Sequence, residues 1–206
     1  MLDERRWQRL WKRLNCRSDS ALPFAQLLRA YDDPHRAYHN AAHIEDCLEQ
    51  LDRAAVRAQK PEEVEAALWF HDAICDPRES DNEERSAAWA AQVLDEAGAA
   101  PVVSQRIAAL IRATKHDSSP DTNDCSLLMD VDLSILGREP EVFAAHDRAI
   151  REEYRWVGET EYRSGRAQIL EQFLRRPKIY WTEDFRSRLE AQARENLMRA
   201  IAQLRG

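Results

Sequence analysis

Glycine is scarce in this chain, with 5 residues in 206. Sheet-rich folds lean on glycine turns, so this scarcity, with 33% charged residues, points to solvated helices. Long apolar runs are missing. Nothing approaches the roughly 18–20 residues needed to cross a bilayer, and the stretch Met1 to Asn15 is amphipathic and charged, unlike a secretory signal. A soluble, cytoplasmic chain with no membrane role is expected. Cysteine is sparse as well. Cys16, Cys47, Cys75 and Cys125 form no Cys-x-x-Cys pair, which argues against a zinc ribbon or a compact disulfide framework. Reduced thiols acting as small buried apolar residues are the expectation. Positive charge is in deficit: 30 Lys and Arg stand against 37 Asp and Glu, a formal charge of −7. General nucleic-acid binding, which rests on Lys and Arg neutralising phosphates, is therefore not expected. The length suits one sizeable core, and a single all-α domain over residues 1–206 is expected.

Periodicity supports the all-α reading. Trp7, Leu10, Trp11 and Leu14 recur at helical spacing within 3–15. Ser20 can cap a helix that tolerates Pro23 in its first turn and ends at Asp32-Asp33-Pro34. Asn40 is placed to cap a helix striped with Ile44, Cys47, Leu48 and Leu51 and reaching about Arg57. Pro61 opens another, with Val64, Ala67, Leu68 and His71 on one face and an end near Asp76-Pro77. Ser80-Asp81-Asn82-Glu83 reads as a capping box before an alanine-rich helix that stops at Gly98. A helix from Pro101 ends in the polar loop 115–123. A further one, from about Thr122, sets Cys125, Leu128, Met129 and Asp132 on one side. Three more are expected at about 141–156, 160–175 and 183–204, with Pro177 between the last two.

Four side chains able to ligate a metal fall at helix ends or on core-facing stripes: His43, the doublet His71-Asp72, and Asp132. Each alone has an ordinary structural explanation. Together, two imidazoles and two carboxylates make a donor set able to bind a divalent metal and leave coordination sites open. Asp130 competes with Asp132 for the last place. Offsets of three and four residues from Met129 and Leu128 aim Asp132 inward and leave Asp130 to orient a ligand histidine or cap a neighbouring helix.

In their surroundings these residues resemble the HD-domain superfamily, whose pattern is a His, then His-Asp, then a distant Asp on successive helices. Tyr38-His39-Asn40-Ala41-Ala42-His43-Ile44, Trp69-Phe70-His71-Asp72-Ala73-Ile74-Cys75-Asp76, Asp81-Asn82-Glu83-Glu84-Arg85-Ser86-Ala87 and Asp130-Val131-Asp132-Leu133-Ser134-Ile135-Leu136-Gly137 resemble one bacterial subfamily. It is described as the predicted metal-dependent HD phosphohydrolases. The likeness continues through Gly165-Arg166 and Ala193-Arg194-Glu195-Asn196-Leu197. It implies a helical bundle with a metal in a central cleft, a site core at about 20–140 and carboxy-terminal helices at about 141–204. The implied enzyme hydrolyses a phosphate ester of a nucleotide or other small phosphorylated metabolite with metal-activated water, Asp72 being both ligand and catalytic. The metal is Mn, Co, Ni, Fe, Zn or Mg, and the chain a monomer or homodimer. Two other readings stand beside it. A dinuclear iron HD-type oxygenase calls for more histidines than His116 between the doublet and Asp132, and the intact ligand set argues against a non-catalytic nucleotide sensor.

Six more residues lie in or beside the motifs. His39, four before His43, either meets substrate phosphate or a second metal, or makes a structural loop contact; His116 invites the same pair of readings, and the resemblance favours the site. Asn82 and Glu83 follow the doublet by about ten residues, where some HD phosphohydrolases place a carboxylate that activates water or protonates the leaving group. Capping explains Glu83 as well. Lys115, Arg36 and Arg166 are candidate phosphate holders, Arg offering a planar fork matched to phosphate; the alternative for each is a solvated surface charge. His35 and His146 have no motif support.

Overall fold

The computed structural model describes residues 2–54 and 57–206, and every regular element among them is a helix. By its contacts the chain gathers into two compact units, Met1–Asp132 and Leu133–Gly206.

The first unit holds α1 (Glu4–Arg13), α2 (Ala21–Tyr31), α3 (Ala41–Ala54), α4 (Pro61–Phe70), α5 (Asn82–Glu96), α6 (Pro101–Ala113) and α7 (Asn123–Asp132). α4 is its axis, packing on α1, α3, α5, α6 and α7. All residues from Glu63 to Phe70 are buried, and a helix covered on every side sits at the centre of a core. The single apolar face read from the sequence understates this. Its two buried glutamates are paired, as buried charge must be: Arg106 donates to both oxygens of Glu63 at 2.5 and 2.7 Å, and Arg6 Nε to Glu65 at 2.7 Å. Trp7 of α1 covers the far end of α4, its ring 5.4 Å from Trp69 and 5.9 Å from Phe70.

α4 stops at Phe70, short of the expected Asp76, because the groups that would extend it are taken by distant partners. Arg36 donates to the Asp72 and Ala73 carbonyls at 2.5 and 2.9 Å. The N–H groups of Ile74 and Asp76 go to Ser86 Oγ and Asn82 Oδ1 at 2.9 and 3.0 Å. Two expected caps also differ. Asp19, not Ser20, accepts from the Ala21 N–H at 2.9 Å. The Ser80–Glu83 capping box does not form; Asp81 takes the N-cap position without a side-chain bond. Asn40 does cap α3, accepting from Ala42 N–H at 2.9 Å. Gly98 ends α5 at φ +81°, with Ala99 N–H returning to the Leu94 carbonyl at 3.0 Å. The expected run of α3 to Arg57 crosses residues 55 and 56, which lie outside the described residues.

The second unit opens with a 3₁₀ helix, Leu133–Gly137, followed by α8 (Pro140–Glu153), α9 (Glu159–Arg175) and α10 (Glu183–Arg205). α10 packs on α9 and on the 3₁₀ helix. Tyr180 donates its hydroxyl to the Leu133 carbonyl at 3.0 Å, and Asn196 Nδ2 bonds the Leu136 and Arg138 carbonyls at 2.9 and 2.8 Å. Gly137 allows this approach: a Cβ there would stand 2.5 Å from Leu189 Cβ and 2.7 Å from the Leu189 carbonyl. Gly137→Ala is therefore expected to cost about 1–3 kcal/mol through overpacking, read as a lowered midpoint in urea unfolding; an unmoved midpoint contradicts the contact.

Among the described residues no helix is long and apolar enough to cross a membrane. All four cysteines are free thiols. Cys47 and Cys125 are buried as expected, whereas Cys16 and Cys75 are only half-buried; burial still pushes Cys16 up to about 11. Trp156 is exposed.

Candidate metal centre

Three segments of the first unit converge. The Asn40 cap starts α3 and sets His43 in its first turn, His71 is the residue on which α4 closes, and Asp132 is the last residue of α7. His43 Nε2 lies 3.2 Å from His71 Nε2, 3.3 Å from Asp132 Oδ1 and 3.5 Å from Asp72 Oδ2. His71 Nε2 lies 3.0 Å from Asp72 Oδ2 and 3.5 Å from Asp132 Oδ1. The imidazoles are buried, at 3% and 1% side-chain exposure, while Asp72 and Asp132 keep 20% and 16%. The centre is thus sealed on its nitrogen side and opens past its carboxylates.

The tautomer of His71 follows from its other nitrogen. Nδ1 sits 2.9 Å from the Leu68 carbonyl, which only accepts, so Nδ1 carries a proton, and in the neutral ring Nε2 is the nitrogen whose lone pair faces the centre. Acceptor atoms packed this closely repel one another unless a proton or a metal cation lies among them. A proton on His71 is one answer. Burial opposes its charge, but Asp72 and Asp132 outweigh burial and hold its pKa well above the ordinary value. Burial would likewise raise the Asp72 carboxyl, yet the charges of His71, His39 and His43 keep it below the usual range. Asp132 is held down against burial by hydrogen bonds from His116, His43 and His71.

A divalent cation is the other answer, and the spacing suits it. Donors at about 2.0–2.2 Å from a shared ion stand ~3.0 Å apart on an octahedral edge and ~3.4 Å apart on a tetrahedral one, close to the observed 3.0–3.5 Å.

Cys47 also reaches the cluster. Its Sγ and one ligand atom each of His43, His71 and Asp132 lie within 4.8 Å of one another, a group able to hold a metal ion. The sequence reading placed Cys47 only in an apolar stripe; its four-residue spacing from His43 was the available signal. Sγ is 3.7 Å from both ring nitrogens of His43, so it stands off the axis along which Nε2 would share an ion. Asp72 Oδ2, within 3.5 Å of both imidazoles, is the better-placed fourth donor.

Other candidates divide into those brought to the centre and those engaged elsewhere. His39 is adjacent, its ring centroid 6.1 Å from that of His43, and Tyr38 packs on the His43 ring at 4.7 Å. His116 Nε2 is 2.8 Å from Asp132 Oδ2. Asp132, not Asp130, meets the histidines; Asp130 is fully buried. Arg36 uses its fork on the carbonyls of His39, Asp72 and Ala73, tying the segment before α3 to the doublet rather than offering itself to phosphate. Arg36→Gln should cost about 1–3 kcal/mol by leaving partly buried carbonyls unpaired, which lowers the melting temperature by roughly 2–4 °C per kcal/mol at this length. An unchanged melting temperature in thermal circular dichroism contradicts the brace.

Lys115 Nζ reaches the Ser80 carbonyl at 3.3 Å, on a surface groove of about 930 Å³ that Glu83 also lines. The Asn82 amide serves the Asp76 N–H and carbonyl. Arg166, in the second unit, bonds Asp147 at 2.9 and 3.0 Å and approaches His146 Nε2 at 3.4 Å. Each cationic candidate thus has a partner of its own.

No protein-family model, curated protein or solved structure matches the chain. Fold and centre together define an all-helical protein with a buried His/Cys/Asp group that can hold a metal ion.

Proposed function

We propose that the chain is a metal-dependent phosphohydrolase of the HD type, acting on the phosphate ester of a nucleotide or another small phosphorylated metabolite. The observation that carries this reading is the convergence of His43 Nε2, His71 Nε2, Asp72 Oδ2 and Asp132 Oδ1 at contacts of 3.0–3.5 Å, with the second nitrogen of His71 fixed on Leu68. Their order along the chain is the pattern by which it resembles the HD-domain superfamily.

A divalent ion held there supplies Lewis acidity, lowering the pKa of a water molecule, to about 7 in favourable zinc sites, and offsetting charge on phosphoryl oxygens. The residues themselves position and balance charge. With an ion bound, His71 would be neutral, its Nδ1–H fixed on the Leu68 carbonyl and its Nε2 left to the ion; Asp72 and Asp132 together match the charge of a dication and form the accessible side. His39, beside His43, supplies a hydrogen-bond donor for a phosphoryl oxygen, and Tyr38 shields the His43 ring. Lys115 and Arg166 have no part in this scheme, and Arg36 acts only by holding the doublet's backbone.

The test is phosphate release from nucleotides and sugar phosphates with Mn, Co, Ni, Fe, Zn or Mg added in turn. At least one class should be turned over, and chelation should stop it. A metal-loaded chain that binds nucleotide yet releases nothing from the whole panel overturns the hydrolase reading in favour of a binding protein.

A further inference from the structure

We infer, on the metal-centre reading above, that His116 is a positioning residue: it holds one oxygen of Asp132 so that only the other faces the two imidazoles. Asp132 Oδ2 meets His116 Nε2 at 2.8 Å, while Oδ1 stands 3.3 and 3.5 Å from His43 and His71. A carboxylate on the last residue of a helix can otherwise turn about its χ angles or present both oxygens. An N–H fixed on one oxygen removes that freedom, as partners behind a metal ligand commonly do.

The backbone carries a second, independent sign. His116 lies three residues beyond the end of α6, bonds its N–H to the Ala113 carbonyl at 3.1 Å, and has φ +57°. Among the described residues only Asn15 shares a positive φ without being glycine. After a helix this left-handed position is ordinarily glycine or asparagine, and a histidine there is strained. The strained residue is also the one whose ring, nearly buried at 9% exposure, crosses to Asp132 sixteen residues later. Glycine would suit the backbone better. The imidazole is what glycine cannot provide.

That contrast supplies the experiment. His116→Gly relaxes the backbone and removes the donor, whereas His116→Gln retains an N–H donor of similar reach. Zinc affinity is measured against a competing chelator on the full chain, and the melting temperature is measured on metal-free protein. His116→Gly should keep a melting temperature near wild type, since relief of strain offsets the lost bond, while its zinc affinity falls about 10–100-fold, the usual effect of losing such a partner. His116→Gln should recover part of the affinity. Zinc affinity unchanged in His116→Gly overturns the inference, as does a melting temperature that falls in step with affinity, which would make His116 a prop of the fold. If wild type itself binds no zinc or other divalent metal, the proposed function falls with it; if wild type binds and His116→Gly binds equally, only this inference falls.

Discussion

Asp72→Asn and His71→Ala chains are expected to emerge without metal and to release no phosphate. His71 is the hub of the centre, its Nε2 within 3.5 Å of donor atoms on His43, Asp72 and Asp132. Its removal takes away one donor and the positive partner nearest Asp72. Asp72→Asn is the gentler change. It preserves the shape of a side chain that is 20% exposed and removes only the charge and the anionic oxygen nearest His71. Loss of a direct ligand should exceed the ~10–100-fold that an outer partner costs, so metal affinity should drop by more than about 100-fold in both variants. Retention of wild-type metal content and turnover in Asp72→Asn would sink the assignment.

Trp7→Ala is the substitution expected to damage the fold most. The indole is 1% exposed, packs within 5.1–6.4 Å of Trp11, Trp69, Phe70 and Phe24, and donates Nε1–H to the Ser20 carbonyl at 2.9 Å. Truncation leaves a large void among rings that cannot all collapse into it, and removes one of the two hydrogen bonds that the Ser20 carbonyl accepts, the Phe24 N–H remaining at 3.1 Å. The expected loss is about 3–5 kcal/mol, measured by urea unfolding with far-ultraviolet circular dichroism, which does not depend on tryptophan signal. A loss below about 1 kcal/mol would mean that the aromatic cluster rearranges freely, against the close packing described.

Helix positions were largely legible because local signals decide them. Pro61 and Pro101 open α4 and α6, Gly98 closes α5, Asn40 caps α3, and α9 and α10 begin and end within about two residues of the positions expected. What could not be read depends on contacts distant in sequence. α4 ends at Phe70 through Arg36, Asn82 and Ser86, and no periodicity in 61–76 reports those partners. The capping box at Ser80 is a valid local pattern, yet Asn82 bonds Asp76 and Ser80 offers its carbonyl to Lys115. The same holds at the centre. Ligand types and order marked His43, His71, Asp72 and Asp132, but the nearness of Cys47 Sγ, and what the forks of Arg36 and Arg166 touch, are properties of the folded chain.

The most direct test is titration of chelator-stripped wild-type protein with zinc or manganese in a calorimeter, beside Asp72→Asn. One divalent ion per chain, with the heat lost in the variant, is the expected result. No saturable binding by wild type, or equal binding by both proteins, contradicts a centre built on His43, His71, Asp72 and Asp132.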